Sequence, residues 1–327
     1  MKLRSIGFIL VALWLLGSTA HSPAPLIYQP GEGWTYEAVQ GAGKWQRSRA
    51  KDQLDVAKSA FDQKDYSTAL KAARRTVQVW PFSDYAPEAQ YIVGRCLEAD
   101  GSEEKAFKEY QKVVEKYPRI ALFDEVLQRQ YDIAMKYLGG KWFKLWGFIP
   151  AFSDMDKTAD MFEKIVRTGP YSNVAPQAQL KIGAARENQK NYPDAVKAYE
   201  RAADRYNDRL PIATEATFCA GMANWKQAQK SEYDQGAAGA AIATFTDFMT
   251  LYPEDARVKQ AQKLIDDLHN EQARGCYEIA LFYEKKHKVQ GALVYYNEAL
   301  LLAPSSSYAD ASRKRIEQLK ARITAAP

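Results

Sequence analysis

Cysteine and histidine are scarce in this chain, with three of each among 327 residues. Three thiols, Cys96, Cys219 and Cys276, exclude a disulfide scaffold, and an odd number cannot all pair within one chain. There is no His-Glu-x-x-His pair, nucleophile elbow or phosphate-cradling glycine loop. His269, Cys276 and His287 lie near one another, but their spacing fits no zinc pattern, so they read as helix histidines and a core cysteine. No metal, no cofactor and no catalysis are expected. A surplus of one charge is missing too: 45 basic residues oppose 40 acidic ones for a net +5, and the signs mostly alternate. A nucleic-acid groove needs clustered cations, so no nucleic-acid partner is expected. Disorder is excluded from the other side, because 46% of residues are hydrophobic and 12% aromatic.

The apolar run Ile6–Leu16 is shorter than the ~20 residues that cross a bilayer. It follows the basic start Lys2 and Arg4 and precedes the small residues Gly17-Ser18-Thr19-Ala20. That order predicts an export signal over 1–20, cleaved after Ala20, with an uncleaved N-terminal anchor as the alternative. Without Lys2 and Arg4 the count is 43 basic against 40 acidic, or +3. Prolines and glycines then predict an extended linker over 21–46, a tether or surface strap.

From Ala50 onward the chain repeats. An apolar residue plus proline ends successive segments at Pro81, Pro118, Pro170, Pro253 and Pro304, and Tyr206-Asn207 holds the same place without proline. Eleven or twelve residues before each end stands Ala69, Ala106, Ala159, Ala195, Ala241 or Ala292. Three or four residues beyond the alanine comes Ala73, Tyr110, Phe162, Tyr199, Phe245 or Tyr296. This is the tetratricopeptide (TPR) helix–turn–helix pattern. The alanine lets two helices approach, the aromatic fills the wider gap a turn later, and the proline stops the second helix. Small partners on the first helices are Ala57, Gly94, Gly183, Gly221 and Ala280. The expectation is an all-α TPR solenoid over 47–323. Its repeats lie near 50–81, 87–118, 121–170, 176–207, 212–253 and 256–304, with a capping helix near 308–323. Repeat three carries an insertion over 139–153.

Such arrays present their first helices to a peptide or protein. Lys58 and Arg95 occupy the same register position in repeats one and two, with Tyr91 one turn before Arg95. They form a candidate carboxylate-binding site, weighed against a solvated pair of no function. The insertion gathers Trp142, Phe143, Lys144, Trp146 and Phe148. Either this loop docks on a partner or the membrane interface, or it folds back and plugs the array with its own aromatics.

The export signal, the repeat count and the stretch Cys276-Tyr277-Glu278-Ile279-Ala280-Leu281-Phe282-Tyr283-Glu284-Lys285-Lys286 resemble the BamD-type outer-membrane assembly lipoproteins. So do Gly291-Ala292-Leu293-Val294-Tyr295-Tyr296 and Asp65-Tyr66-Ser67-Thr68-Ala69-Leu70. The resemblance implies an exported periplasmic scaffold at the inner face of the outer membrane, serving β-barrel protein assembly. It implies that the N-terminal repeats, with Lys58, Tyr91 and Arg95, receive unfolded outer-membrane proteins. Tyr277, Tyr283 and Lys286 would meet the barrel-forming subunit. That family carries a lipidated cysteine after the signal, whereas the first cysteine here is Cys96. Membrane association is therefore expected to be indirect or through an uncleaved signal. The competing expectation is a free periplasmic adaptor for peptides or cell-envelope enzymes.

Overall fold

The computed structural model describes residues 26–31, 33–36, 45–145, 149–230 and 235–325. Thirteen helices lie among them. They form six consecutive pairs: α1 (Ala50–Asp62) with α2 (Tyr66–Val79), α3 (Ala86–Ala99) with α4 (Glu103–Lys116), and α5 (Phe123–Leu138) with α6 (Met155–Thr168). Then come α7 (Ala175–Asn188) with α8 (Tyr192–Arg205), α9 (Leu210–Lys230) with α10 (Gln235–Leu251), and α11 (Val258–Lys285) with α12 (Val289–Leu302). Helix α13 (Ser307–Ala325) closes the array against α12. The chain divides into two compact units between Val126 and Leu127, inside α5.

The turn inside each pair is built the same way in four repeats. Lys64, Gly101, Lys190 and His287 have φ of 62°, 70°, 59° and 58°, the left-handed conformation that ends a helix. The next amide, that of Asp65, Ser102, Asn191 or Lys288, donates to the carbonyl five residues back at 2.8–3.0 Å. That pattern satisfies a carbonyl the helix end would otherwise leave unpaired. Two of these turns lead straight into a side-chain cap, Asp65 accepting from the amide of Thr68 at 3.0 Å and Asn191 from Asp194 at 3.4 Å, and in repeat three Asp154 caps the second helix by accepting from Lys157 at 3.0 Å.

Packing follows the small–aromatic register. Ala69, Ala106, Ala195, Ala241 and Ala292 are all fully buried. A Cβ added to Gly94 would lie 2.4 Å from the Tyr110 ring, one on Gly183 2.4 Å from Tyr199, and one on Gly221 2.6 Å from Phe245. These three glycines are therefore required by an aromatic ring. Repeat one makes the opposite choice, with Ala57 and Ala73 both buried. Repeat three corrects the alanine register. Its second helix is capped by Asp154, and the residue four beyond the cap is Thr158, fully buried, just as Ala69 follows Asp65 and Ala195 follows Asn191. Ala159 is the neighbour of the register position, and Thr158 places Phe162 at the same four-residue step as the other rings.

The turns between repeats share a second device. Ser83, Ser172 and Ser306 each donate a hydroxyl to the carbonyl three residues back, at 2.9, 2.7 and 2.8 Å. Tyr117 and Tyr206 each donate to the proline carbonyl of the preceding repeat, Pro81 and Pro170, at 3.1 Å.

Two antiparallel hairpins depart from the expected irregular segments. Within the linker, β1 (Leu26–Gln29) pairs with β2 (Gly33–Tyr36). Pro30-Gly31 turns the chain, with Gly31 at φ 80°, and its carbonyl accepts from the amide of Asp84 at 2.7 Å. This part of the linker is a hairpin held to the first turn between repeats through Gly31 and Asp84. In the insertion, β3 (Phe143–Leu145) pairs with β4 (Ile149–Phe152). The export-signal segment, His21 and the linker residues 22–25, 32 and 37–44 lie outside the described residues. No helix among the described residues is long and apolar enough to cross a membrane.

Candidate protein-binding surfaces

Helices α1 and α3 carry the basic residues singled out in the sequence, and the structure gives each a carboxylate. Lys58 Nζ lies 2.7 Å from Glu88 Oε1. Arg95 lies 3.9 Å from Glu125, and its Nη1 donates to the Tyr91 hydroxyl at 3.1 Å. That hydroxyl in turn donates to Glu125. The guanidinium also sits over the Phe61 ring at 5.1 Å. Arg95 and Tyr91 are thus brought together, but around an internal carboxylate. Tyr91 is buried, so its ring offers no open stacking face. The proposed carboxylate clamp is therefore already filled: an incoming carboxylate would compete with Glu88 and Glu125. Sequence reasoning missed these partners, though the signal was present. Glu88 and Glu125 each stand 30 residues after their cation, and both pairs repeat at the same 37-residue step.

In the insertion the aromatics split. Phe143 is 3% exposed and stacks on Tyr137 at 4.2 Å, with Lys157 Nζ 5.1 Å from its ring centroid. It folds back onto its own repeat, as the alternative expectation for this loop had it. Trp142 is 56% exposed. The backbone of Lys144 pairs opposite Pro150, and Trp146 and Phe148 lie outside the described residues.

The end of α11 and the start of α12 form the third surface. Tyr283 stacks on Tyr295 at 5.5 Å and packs so closely on Gly291 that a Cβ there would meet its ring at 2.6 Å. Phe282 is 58% exposed and meets Tyr283 edge-on at 6.1 Å, and Lys286 lies 5.8 Å above the Phe282 ring. Tyr277 is half-buried, packed against Tyr296 and Tyr308 at 5.6 and 6.0 Å. Of the residues named from sequence, Tyr283 and Lys286 therefore flank an exposed aromatic, and Tyr277 belongs to the packing beneath. Phe282 was overlooked, although it directly precedes Tyr283 in the quoted stretch.

Buried titratable groups are pushed toward their neutral forms. Burial raises the Cys96 thiol to about 11, and burial with Glu215 close by raises Cys219 to about 12. Burial, then the Glu187 charge, holds the Tyr199 phenol protonated. Such thiols are packing residues and not nucleophiles at neutral pH.

Residues 54–119 match the family model for the tetratricopeptide repeat. The array is a tetratricopeptide fold. As such it engages protein partners. Residues 151–301 of the TPR array match a second family model, YfiO, described as an outer membrane lipoprotein. No curated protein matches the chain. Among solved structures, it is similar to the C-terminal part of a TPR repeat-containing protein from Cytophaga hutchinsonii. That likeness has 14% identity over 81% of this chain and 87% of the other, with a TM-score of 0.37. A tetratricopeptide repeat protein from Parabacteroides merdae shows 10% identity, 83% and 98% coverage and a TM-score of 0.34. MamA from Desulfovibrio magneticus shows 15% identity, 66% and 99% coverage and a TM-score of 0.33.

Proposed function

We propose that this TPR array is a non-catalytic scaffold on the periplasmic side of the outer membrane, taking part in the assembly of β-barrel proteins. The observation that carries the reading is the outer-membrane lipoprotein match over 151–301. That span includes α11 and α12, where Tyr283, Lys286 and the exposed Phe282 lie side by side. This surface docks a barrel-forming subunit through the exposed Phe282 beside Tyr283, a tyrosine being a residue type enriched among binding hot spots, with the Lys286 cation at its rim. The N-terminal repeats receive unfolded barrel chains. Export follows from the Lys2–Ala20 segment.

Cell fractionation tests this reading. The full chain, expressed in its native host, is expected to sediment with outer membranes and to be released when the barrel-forming partner is depleted. A chain that stays soluble whether or not that partner is present would instead fit the free-adaptor reading.

A further inference from the structure

A cavity of about 370 Å³ opens in the N-terminal unit where α2, α3 and α4 meet. Val77 and Val93 supply its apolar part. Its single lining carboxylate, Glu109, is already engaged: Gln90 donates to it at 2.7 Å and Lys112 lies 2.9 Å away. Arg74 and Lys116 line the same cavity and have no carboxylate partner among the described residues. Lys112 and Lys116 are one turn apart on α4, so both face the opening. Three cations against one carboxylate leave the site with two positive charges and valines beneath them.

We propose that this cavity binds an acidic peptide segment of a partner protein, with a glutamate or aspartate side chain seated in it. The acidic side chain lays its carbon stem on Val77 and Val93 and brings its carboxylate to Arg74 and Lys116. A guanidinium fork favours a planar carboxylate through paired hydrogen bonds, and the lysine adds a mobile point charge. The exposed amide of Gln78 stands at the rim to meet peptide backbone. The volume falls in the range of ligand pockets and exceeds what a lone small anion fills. The site rests on the reading of the chain as a protein-binding array, but uses the N-terminal unit alone. It is distinct from Lys58 and Arg95, whose charges are internally matched.

The test is fluorescence anisotropy on the full chain with a labelled peptide of alternating glutamate and alanine, against the same peptide with glutamine. The acidic peptide is expected to bind about tenfold or more tightly than the glutamine one, and to weaken about tenfold or more in Arg74→Glu/Lys116→Glu. Arg74→Gln/Lys116→Gln should lie between, and Lys71→Glu, outside the cavity, should change little. Inorganic phosphate at millimolar levels should not displace the peptide. Equal binding of both peptides to the unaltered chain would overturn the proposal whatever the variants do. So would unchanged affinity in the glutamate variant with helical circular dichroism intact, or full displacement by phosphate. Failure here would leave release from outer membranes on partner depletion untouched, whereas failure of the barrel-assembly reading would leave acidic-peptide binding in place.

Discussion

Tyr199 on α8 donates its phenol hydrogen to Glu187 on α7 at 3.0 Å, and two other repeats make the same bond. Tyr110 donates to Glu98 at 2.7 Å and Tyr296 to Glu284 at 2.8 Å. Each pair joins the residue four beyond the small position of the first helix to the residue four beyond the register alanine of the second. The next first helix, or the cap, then adds a cation: Lys226 lies 3.0 Å from Glu187 and Arg315 3.8 Å from Glu284. The glutamate thus ties the two helices of one repeat to the helix that follows. Tyr199→Phe keeps the ring and removes the bond, and should cost about 1–2 kcal/mol in urea unfolding because the acceptor is charged. An unchanged midpoint would show that the bond is energetically idle.

Gly183 and Tyr199 are coupled by contact. Gly183→Ala gains helix propensity worth about 1 kcal/mol but drives a methyl into the Tyr199 ring, an overpacking cost of about 1–3 kcal/mol. The net effect should be destabilising. In Gly183→Ala/Tyr199→Ala the clash disappears, so the double variant should lose less stability than the two single variants added together. Strict additivity would mean that the ring already has room to move aside.

The left-handed turn residues offer a paired test. Gly101→Ala meets no atom within 4 Å, so only backbone strain acts, about 1 kcal/mol destabilising. Lys190→Gly at φ 59° relieves that strain and should raise the thermal midpoint, less the added freedom of the unfolded chain. Both substitutions moving stability the same way would contradict the turn geometry.

Stability should fall on the alkaline side. Cys96, Cys219 and Tyr199 keep their protons longer in the folded chain than unfolded. Their contribution is complete below about pH 8.5, where an unfolded thiol begins to ionise, and is lost as pH rises through the folded values. For Cys96 and Cys219 those are about 11 and about 12. Urea midpoints should decline from pH 8 to 10.5, with a shallower slope in Cys219→Ala. A flat profile would contradict the raised titration of the buried Cys96 and half-buried Cys219 thiols.

Much of the fold was legible because the small–aromatic–proline register is a packing rule written along the chain. Gly94, Gly183 and Gly221 announce the rings they touch. Repeat three escaped an accurate count because its insertion shifts the spacing and Thr158 takes the alanine's place. The hairpins were hidden because strands of three or four residues among glycines and prolines carry too few alternations to read. The candidate sites were less legible than the fold. Lys58 and Arg95 looked available because a cation's partner lies one repeat away, across a distance that only the stacked helices close. Phe143 and Trp142 are adjacent in sequence, yet one is buried and the other exposed, a choice made by the strand pairing of the insertion.

The most direct test of the scaffold reading is site-specific photo-cross-linking from position 282 of the full chain in intact cells, with the exposed Tyr171, on the turn between α6 and α7, as control. The expected product joins the chain to an outer-membrane β-barrel protein, recognised by mass spectrometry and by a heat-dependent shift in gel mobility. Cross-linking at position 282 only to soluble periplasmic proteins, or equal capture of the barrel from position 171, would contradict docking through α11 and α12.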